Sequence, residues 1–216
     1  MKSSLFNMVT VLLCITAVTS AAVGVVYRVT EGPIAIAKGE KKAAALARVL
    51  PPFDNAPASS ADTVAVDGGQ VTVYTATMAG EPVGYAVESA ASGFAGDIRL
   101  MVGFDTQGAI RNIQVLEQGE TPGLGAKIAE ENNPVVVSFV GKSPADLKMA
   151  VRKDGGDIDA ITASTISSRA YVQAVSRAYA GYLQVSGGDA AQWDTSSGAT
   201  SHAAESDEAN GNGGSL

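Results

Sequence analysis

Hydroxyl groups crowd one short stretch of this chain, Asp159-Ala160-Ile161-Thr162-Ala163-Ser164-Thr165-Ile166-Ser167-Ser168-Arg169-Ala170. A threonine or serine hydroxyl can be esterified by a phosphoryl group. The amphipathic pattern that starts at Ile166 places Thr165 where a helix opens. Unpaired N–H groups and the positive end of the helix dipole favour a phosphate at such a point. The plainer role of the same residues is capping, because Ser, Thr and Asp accept hydrogen bonds from the orphan N–H groups of a first turn.

A second cluster lies upstream, Glu120-Thr121-Pro122-Gly123-Leu124-Gly125. Proline fixes one backbone torsion, and the two glycines permit positive φ and close approach of a ligand. By itself the Pro-Gly pair is explained by a turn into a helix at about residues 124–132. Other chemistries have little to work with. The single Cys14 lies in an apolar run, so one chain can build neither a disulfide nor a cysteine metal site. The only histidine, His202, sits in a Gly/Ser/Ala-rich tail, which removes a Ser-His-Asp triad or a histidine metal cluster from the folded part. A net charge of −7 without a basic patch argues against nucleic acid. Redox chemistry would therefore come from a bound organic cofactor.

Thr162-Ala163-Ser164-Thr165 resembles the flavinylation tetrad of the extracytoplasmic covalent-FMN-binding domain family, and Glu120-Thr121-Pro122-Gly123-Leu124-Gly125 is similar to that family's loop beside the flavin. The approach to the loop matches as well: Gly93-Phe94-Ala95-Gly96-Asp97-Ile98, then Leu100–Asp105, Gly108-Ala109-Ile110 and Val115-Leu116. The resemblance spans roughly residues 1–184. The family's commonest tetrad has Gly-Ala where this chain has Ala163-Ser164, and all four are small.

The resemblance implies FMN joined by a phosphodiester to Thr165. Ser164 and Thr162 would cap or hydrogen-bond the phosphate. Gly123 and Gly125 would let the loop backbone approach the isoalloxazine, Leu124 would give an apolar contact, and Glu120 and Thr121 would orient the loop or the cofactor. It further implies a flavin transferase that uses FAD and a divalent cation. The family's domain occurs in the G subunit of Rnf ion-translocating electron-transport complexes and in the C subunit of the sodium-translocating NADH:quinone reductase. The shorter chain favours the former. Such a protein would relay electrons between ferredoxin and NAD in a complex moving Na+ or H+, with membrane, iron–sulfur and flavin subunits as partners and no turnover alone. A competing expectation of another class is a secreted, non-redox binding module in which Thr165 is only a helix cap.

The elements that must position these residues follow from pattern. Leu5–Tyr27 is almost continuously apolar and long enough to span a bilayer. Lys2 and the small Thr19-Ser20-Ala21 also suit a cleaved signal peptide, but the apolar run continues past that site, which favours a retained anchor. Either way the rest of the chain lies outside the cytoplasm; with the anchor kept, it faces the periplasm from the inner membrane. Gly39–Leu50 reads as a helix with Ala43, Leu46, Ala47 and Leu50 on one face, stopped by Pro51-Pro52. Residues 57–62 read as a loop. β-forming runs bounded by turns then predict strands over 71–78, 83–90, 98–104 and 110–116, with 83–90 alternating, an antiparallel meander. Residues 135–140 form another apolar run, and 147–151 a further short strand.

Residues 166–183 predict a helix with Ala170, Ala174, Ala178 and Tyr182 in one row and Tyr171, Val175, Tyr179 and Leu183 beside it, facing the core. From Ser186 the chain turns Gly-, Ser- and Ala-rich and acidic, with no Lys or Arg, and reads as disordered. It holds a decoy: Ser197-Gly198-Ala199-Thr200 spells the family's commonest tetrad, yet no amphipathic helix follows it. The expected organisation is a transmembrane anchor (1–28), a helical linker region (29–62), an FMN-binding domain (63–185) and a disordered acidic tail (186–216). The fold class is α+β, an N-terminal transmembrane helix followed by an antiparallel sheet with flanking helices.

Overall fold

The computed structural model describes the backbone of residues 2–67, 69–188, 190 and 193, and side chains from residue 6 onward. Thr200 and His202 lie outside the described residues. The chain divides into two compact units, Met1–Lys42 and Ala43–Leu216.

Helix α1 runs over Lys2–Val49, with Pro33 inside it. In the first unit its apolar side chains, among them Phe6, Leu12, Leu13, Ile15 and Val25, are exposed. Its threonines turn inward on their own helix: the hydroxyls of Thr10, Thr16, Thr19 and Thr30 donate to the carbonyls of Phe6, Leu12, Ile15 and Val26 at 2.8–3.0 Å. That bonding satisfies the four hydroxyls within a mostly apolar stretch of helix. The helix is long and apolar enough to cross a membrane.

The second unit is built on a five-stranded antiparallel sheet in the order β1-β2-β3-β4-β5. The strands are β1 (Ala61–Val66), β2 (Gly69–Met78), β3 (Glu81–Ser92), β4 (Asp97–Phe104) and β5 (Ile110–Glu117). Val73 pairs with Val87, Val87 with Val102, and Val102 with Ile113, so a valine and isoleucine row crosses the sheet. Helix α3 (Thr165–Ser186) covers the face that carries this row. Its Gly181 lies where any Cβ would press on Val71 and Val87, which brings helix and sheet close. Both predicted rows of α3 are buried, apart from a half-buried Leu183.

The last turns of α1 pack with Leu50 on the opposite face, over Tyr74, Ala76, Ala86, Met101 and Leu116. Here the expected face needs correction. Ala45, Leu46, Val49 and Leu50 are buried, while Ala43 and Ala47 are exposed. Gly103 on β4 explains the rotation, because a Cβ there would collide with the Val49 backbone and only glycine leaves room for it. With apolar cover on both faces, β4 is buried almost continuously from Leu100 to Phe104.

Further expectations are amended. The stretch read as a loop over 57–62 contains a 3₁₀ turn at Pro57–Ser59, and β1 begins at Ala61. The helix expected near 124–132 is only a 3₁₀ helix, Gly125–Ala129. The apolar run that follows forms helix α2 (Pro134–Phe139); Asn133 caps it by accepting from Val136 N–H at 3.1 Å, with proline at the first helical position. No strand forms over 147–151. Val151 makes an isolated parallel bridge with Ile158, held by Arg152 N–H to Ile158 O at 2.8 Å and Ile158 N–H to Ala150 O at 3.1 Å. Finally, Trp193, in the stretch read as tail, is partly buried against Tyr179 with ring centroids 4.7 Å apart.

Candidate functional site

The opening of α3 is an unusual helix start. Ser164 occupies the cap position but makes no side-chain capping bond. Ala163 before it has φ of +64°, a left-handed conformation that costs a residue with a Cβ about 1–2 kcal/mol. The family tetrad's glycine falls at this position, where the backbone asks for one. The turn is held from behind by Ser168, which is fully buried. Its hydroxyl accepts from Ile161 N–H at 3.0 Å and donates to Ser164 O at 2.9 Å. Ser164 N–H donates to Ile161 O at 3.0 Å. The loop 161–164 is thus clamped onto the first turn by one serine. Further round the helix, Arg169 makes two bonds of 2.7 Å to Asp154, which raise its already high pKa and tie α3 to the Arg152–Asp154 turn.

Thr165 is half-buried and lines a cleft of about 410 Å³ with Phe94, Thr121, Leu124, Gly125, Ala163, Ser164, Ile166 and Ser167. Three chain segments, distant in sequence, meet there. Phe94, Leu124 and Ile166 are large apolar side chains left 68 %, 46 % and 49 % exposed. An apolar rim of this kind beside a polar helix start suits a ligand with a flat apolar part and an anionic part.

The predicted site residues separate into two groups. Thr165, Ser164, Thr121, Leu124 and Gly125 line the cleft. Thr162, Glu120 and Gly123 do not. Thr162 is exposed. Gly123 adopts φ of +78° and serves the turn in which Leu124 N–H and Ala126 N–H both donate to Thr121 O at 3.2 Å. Glu120 is buried, with its carboxylate facing the protein: it accepts from Phe94 N–H, Ala95 N–H and the Ser167 hydroxyl. Sequence reasoning did not pick Phe94, Ile166 or Ser167 as site residues. The available signal was the Gly93-x-x-Gly96 turn, closed by Gly93 N–H to Gly96 O at 2.9 Å, which pushes Phe94 outward.

Residues 93–180 match the model of the FMN-binding domain family, a span that begins at the Phe94 turn and ends inside α3. A relative from Pseudomonas aeruginosa, the G subunit of an ion-translocating oxidoreductase complex, is 37 % identical over 168 residues, covering 72 % of this chain and 78 % of that protein. The chain belongs to the family of G subunits of ion-translocating oxidoreductase complexes. The Shewanella oneidensis member is 49 % identical over 109 residues, 49 % of this chain and 51 % of that protein. The chain thus spans about half the length of that relative. The solved C subunit of the Na(+)-translocating NADH-quinone reductase from Parabacteroides distasonis has 25 % identity and a TM-score of 0.40, covering 55 % of this chain and 63 % of that one, a likeness too loose to weigh. Within this family member the matched domain contains every residue that lines the cleft.

Proposed function

We propose that this member of the G-subunit family is a membrane-anchored flavoprotein that carries FMN on Thr165 and relays electrons within an Rnf-type complex. The observation that carries the reading is a half-buried threonine at a helix start without a side-chain cap, lining a cleft with an apolar rim. The residues fit the group. The first-turn N–H groups of α3 favour its phosphate. Phe94, Leu124 and Ile166 offer apolar surface to a flat ring, and about 410 Å³ lies in the range of small-molecule sites. When bound, the flavin supplies the one- and two-electron chemistry that the side chains lack.

Attachment needs FAD and a flavin transferase. The Thr165 oxygen would take the FMN phosphoryl group from FAD, with the pyrophosphate bond broken, AMP as the leaving group and the hydroxyl proton released. The covalent link keeps the cofactor in a compartment without an FMN supply. The protein's own part is to present the Thr165 hydroxyl: Ser168 clamps the preceding loop, and Ala163 turns it.

On this reading the domain faces the periplasm, anchored by α1. Its partners are the membrane, iron–sulfur and flavin subunits of a complex that couples electron flow between ferredoxin and NAD to Na+ or H+ movement. Intact mass of the full chain after co-expression with a flavin transferase tests the central point. A gain of one FMN less water is expected, with yellow colour and fluorescence that survive denaturation. An unmodified mass would leave Thr165 as a mere helix-start residue and sink the reading.

A further inference from the structure

We propose that Glu120 is the positioning residue of the cleft, joining through one buried carboxylate the three segments that line it and so setting how Thr165 is presented for flavin attachment. The inference rests on the flavin reading above. Glu120 is 5 % exposed. Its Oε1 accepts from Phe94 N–H at 2.9 Å and Ala95 N–H at 3.1 Å. Its Oε2 accepts from the hydroxyl of Ser167, two residues beyond Thr165. Its own N–H donates to Gln118 Oε1 at 2.7 Å, which fixes the backbone from which the side chain departs.

Two glycines keep the space that this carboxylate fills. A Cβ on Gly93 would collide with Oε1. A Cβ on Gly125 would lie 2.7 Å from Oε2 and 2.8 Å from the Ser167 hydroxyl. The glycine of the Phe94 turn and the last glycine of the Glu120–Gly125 loop are therefore small for the same reason. Glu120 itself does not line the cleft, so it acts through Phe94 and through the first turn of α3 and does not touch the ligand. A carboxylate suits three converging donors because it only accepts. Removing it leaves two part-buried N–H groups and the buried Ser167 hydroxyl without their acceptor and cuts the hydrogen-bonded link between the Phe94 turn and α3. Glutamine can keep the geometry: its oxygen takes the two N–H groups and its amide donates to the Ser167 hydroxyl, which then accepts.

The test uses the full chain, labelled in vitro with FAD, a divalent cation and a flavin transferase, together with backbone amide exchange of the unlabelled protein. Glu120→Ala should slow covalent labelling about tenfold or more and speed exchange at Phe94 and Ala95 by a similar factor, the loss expected for hydrogen bonds to a charged acceptor, while Val87 and Val102 stay protected. Glu120→Gln should recover both to within about threefold of wild type. Labelling of Glu120→Ala at the wild-type rate overturns the inference. So does a folded Glu120→Gln as defective as the alanine variant, since charge and not positioning would then be the active property. If Glu120→Ala does not fold, Ser167→Ala cuts only the link to α3. Labelling should then slow severalfold with Phe94 and Ala95 still protected, and an unchanged rate counts against the tie. A wild-type chain that takes no label refutes the flavin reading and this inference with it. Normal wild-type labelling beside an unaffected Glu120→Ala refutes the inference alone.

Discussion

The two ends of α3 are finished in opposite ways. At the C-terminal end Gly187 takes the left-handed conformation, φ +83°, and its N–H returns to Leu183 O, as does Gly188 N–H at 2.8 Å. In the C-terminal half of the helix the Tyr182 ring stacks on Phe104 and Tyr179 at centroid distances of 5.0 and 5.7 Å, Tyr85 meets Tyr182 edge-on at 5.4 Å, and Trp193 closes the group with one Nε1–H shared between the Ser176 carbonyl and hydroxyl at 3.0 and 2.9 Å. The left-handed residue there is a glycine, and the Leu183 carbonyl is used. At the N-terminal end the left-handed residue is an alanine, the cap residue makes no capping bond, and three large apolar side chains stay exposed around a cleft. A packed end lowers free energy by completing itself. An end left incomplete can be completed by a ligand, and strain concentrates at such places.

The contrast can be broken most sharply at the hydroxyls. Thr165→Ala should abolish the fluorescent band on a denaturing gel, whereas Thr200→Ala should leave it unchanged, although Ser197-Gly198-Ala199-Thr200 is the more orthodox tetrad. A surviving band in Thr165→Ala would mean that attachment occurs elsewhere. Thr165→Ser should label partially, since it keeps the hydroxyl and loses the methyl that restricts χ1.

A smaller effect is expected at the packed end. Trp193→Ala removes an aromatic pair and one bifurcated hydrogen bond and should lower stability by about 2 kcal/mol in thermal or denaturant unfolding. Stopping the chain after residue 193 should leave both melting temperature and labelling intact, whereas stopping after residue 186 should lose the tryptophan contribution and the Gly187 cap. Equal melting of the two truncated chains would show that Trp193 does not support the domain.

The smallest effects should carry opposite signs. Gly187→Ala forces a Cβ into a left-handed cap and should cost about 1 kcal/mol. Ala163→Gly relieves the same conformation at the other end and should stabilise by up to about 1 kcal/mol with labelling retained. Destabilisation by Ala163→Gly in chemical denaturation would show that the alanine methyl contributes contacts that outweigh its backbone strain.

Several features were legible in the residues alone. Runs of β-forming residues located β2 to β5 to within a few residues, because each strand is bounded by turn residues. The spacing of Ala170, Tyr171, Ala174, Val175, Ala178, Tyr179 and Tyr182 defined the buried face of α3, because a helix repeats every 3.6 residues whatever it packs on. The apolar run near the N-terminus and the two small-residue motifs are likewise properties of local sequence. What local sequence lacks is the partner surface. The face of α1 that is buried was decided by Gly103, far along the chain, whereas the short helix after Gly125 and the lone bridge at Val151 are closed by hydrogen bonds within a few residues. The role of Glu120 belongs with that of Gly103. Its type was visible, but it is a structural tie and not a lining residue only because Gly93, Gly125 and Ser167 converge on it in three dimensions, and a carboxylate's partners are fixed by which donors the fold brings within hydrogen-bonding distance.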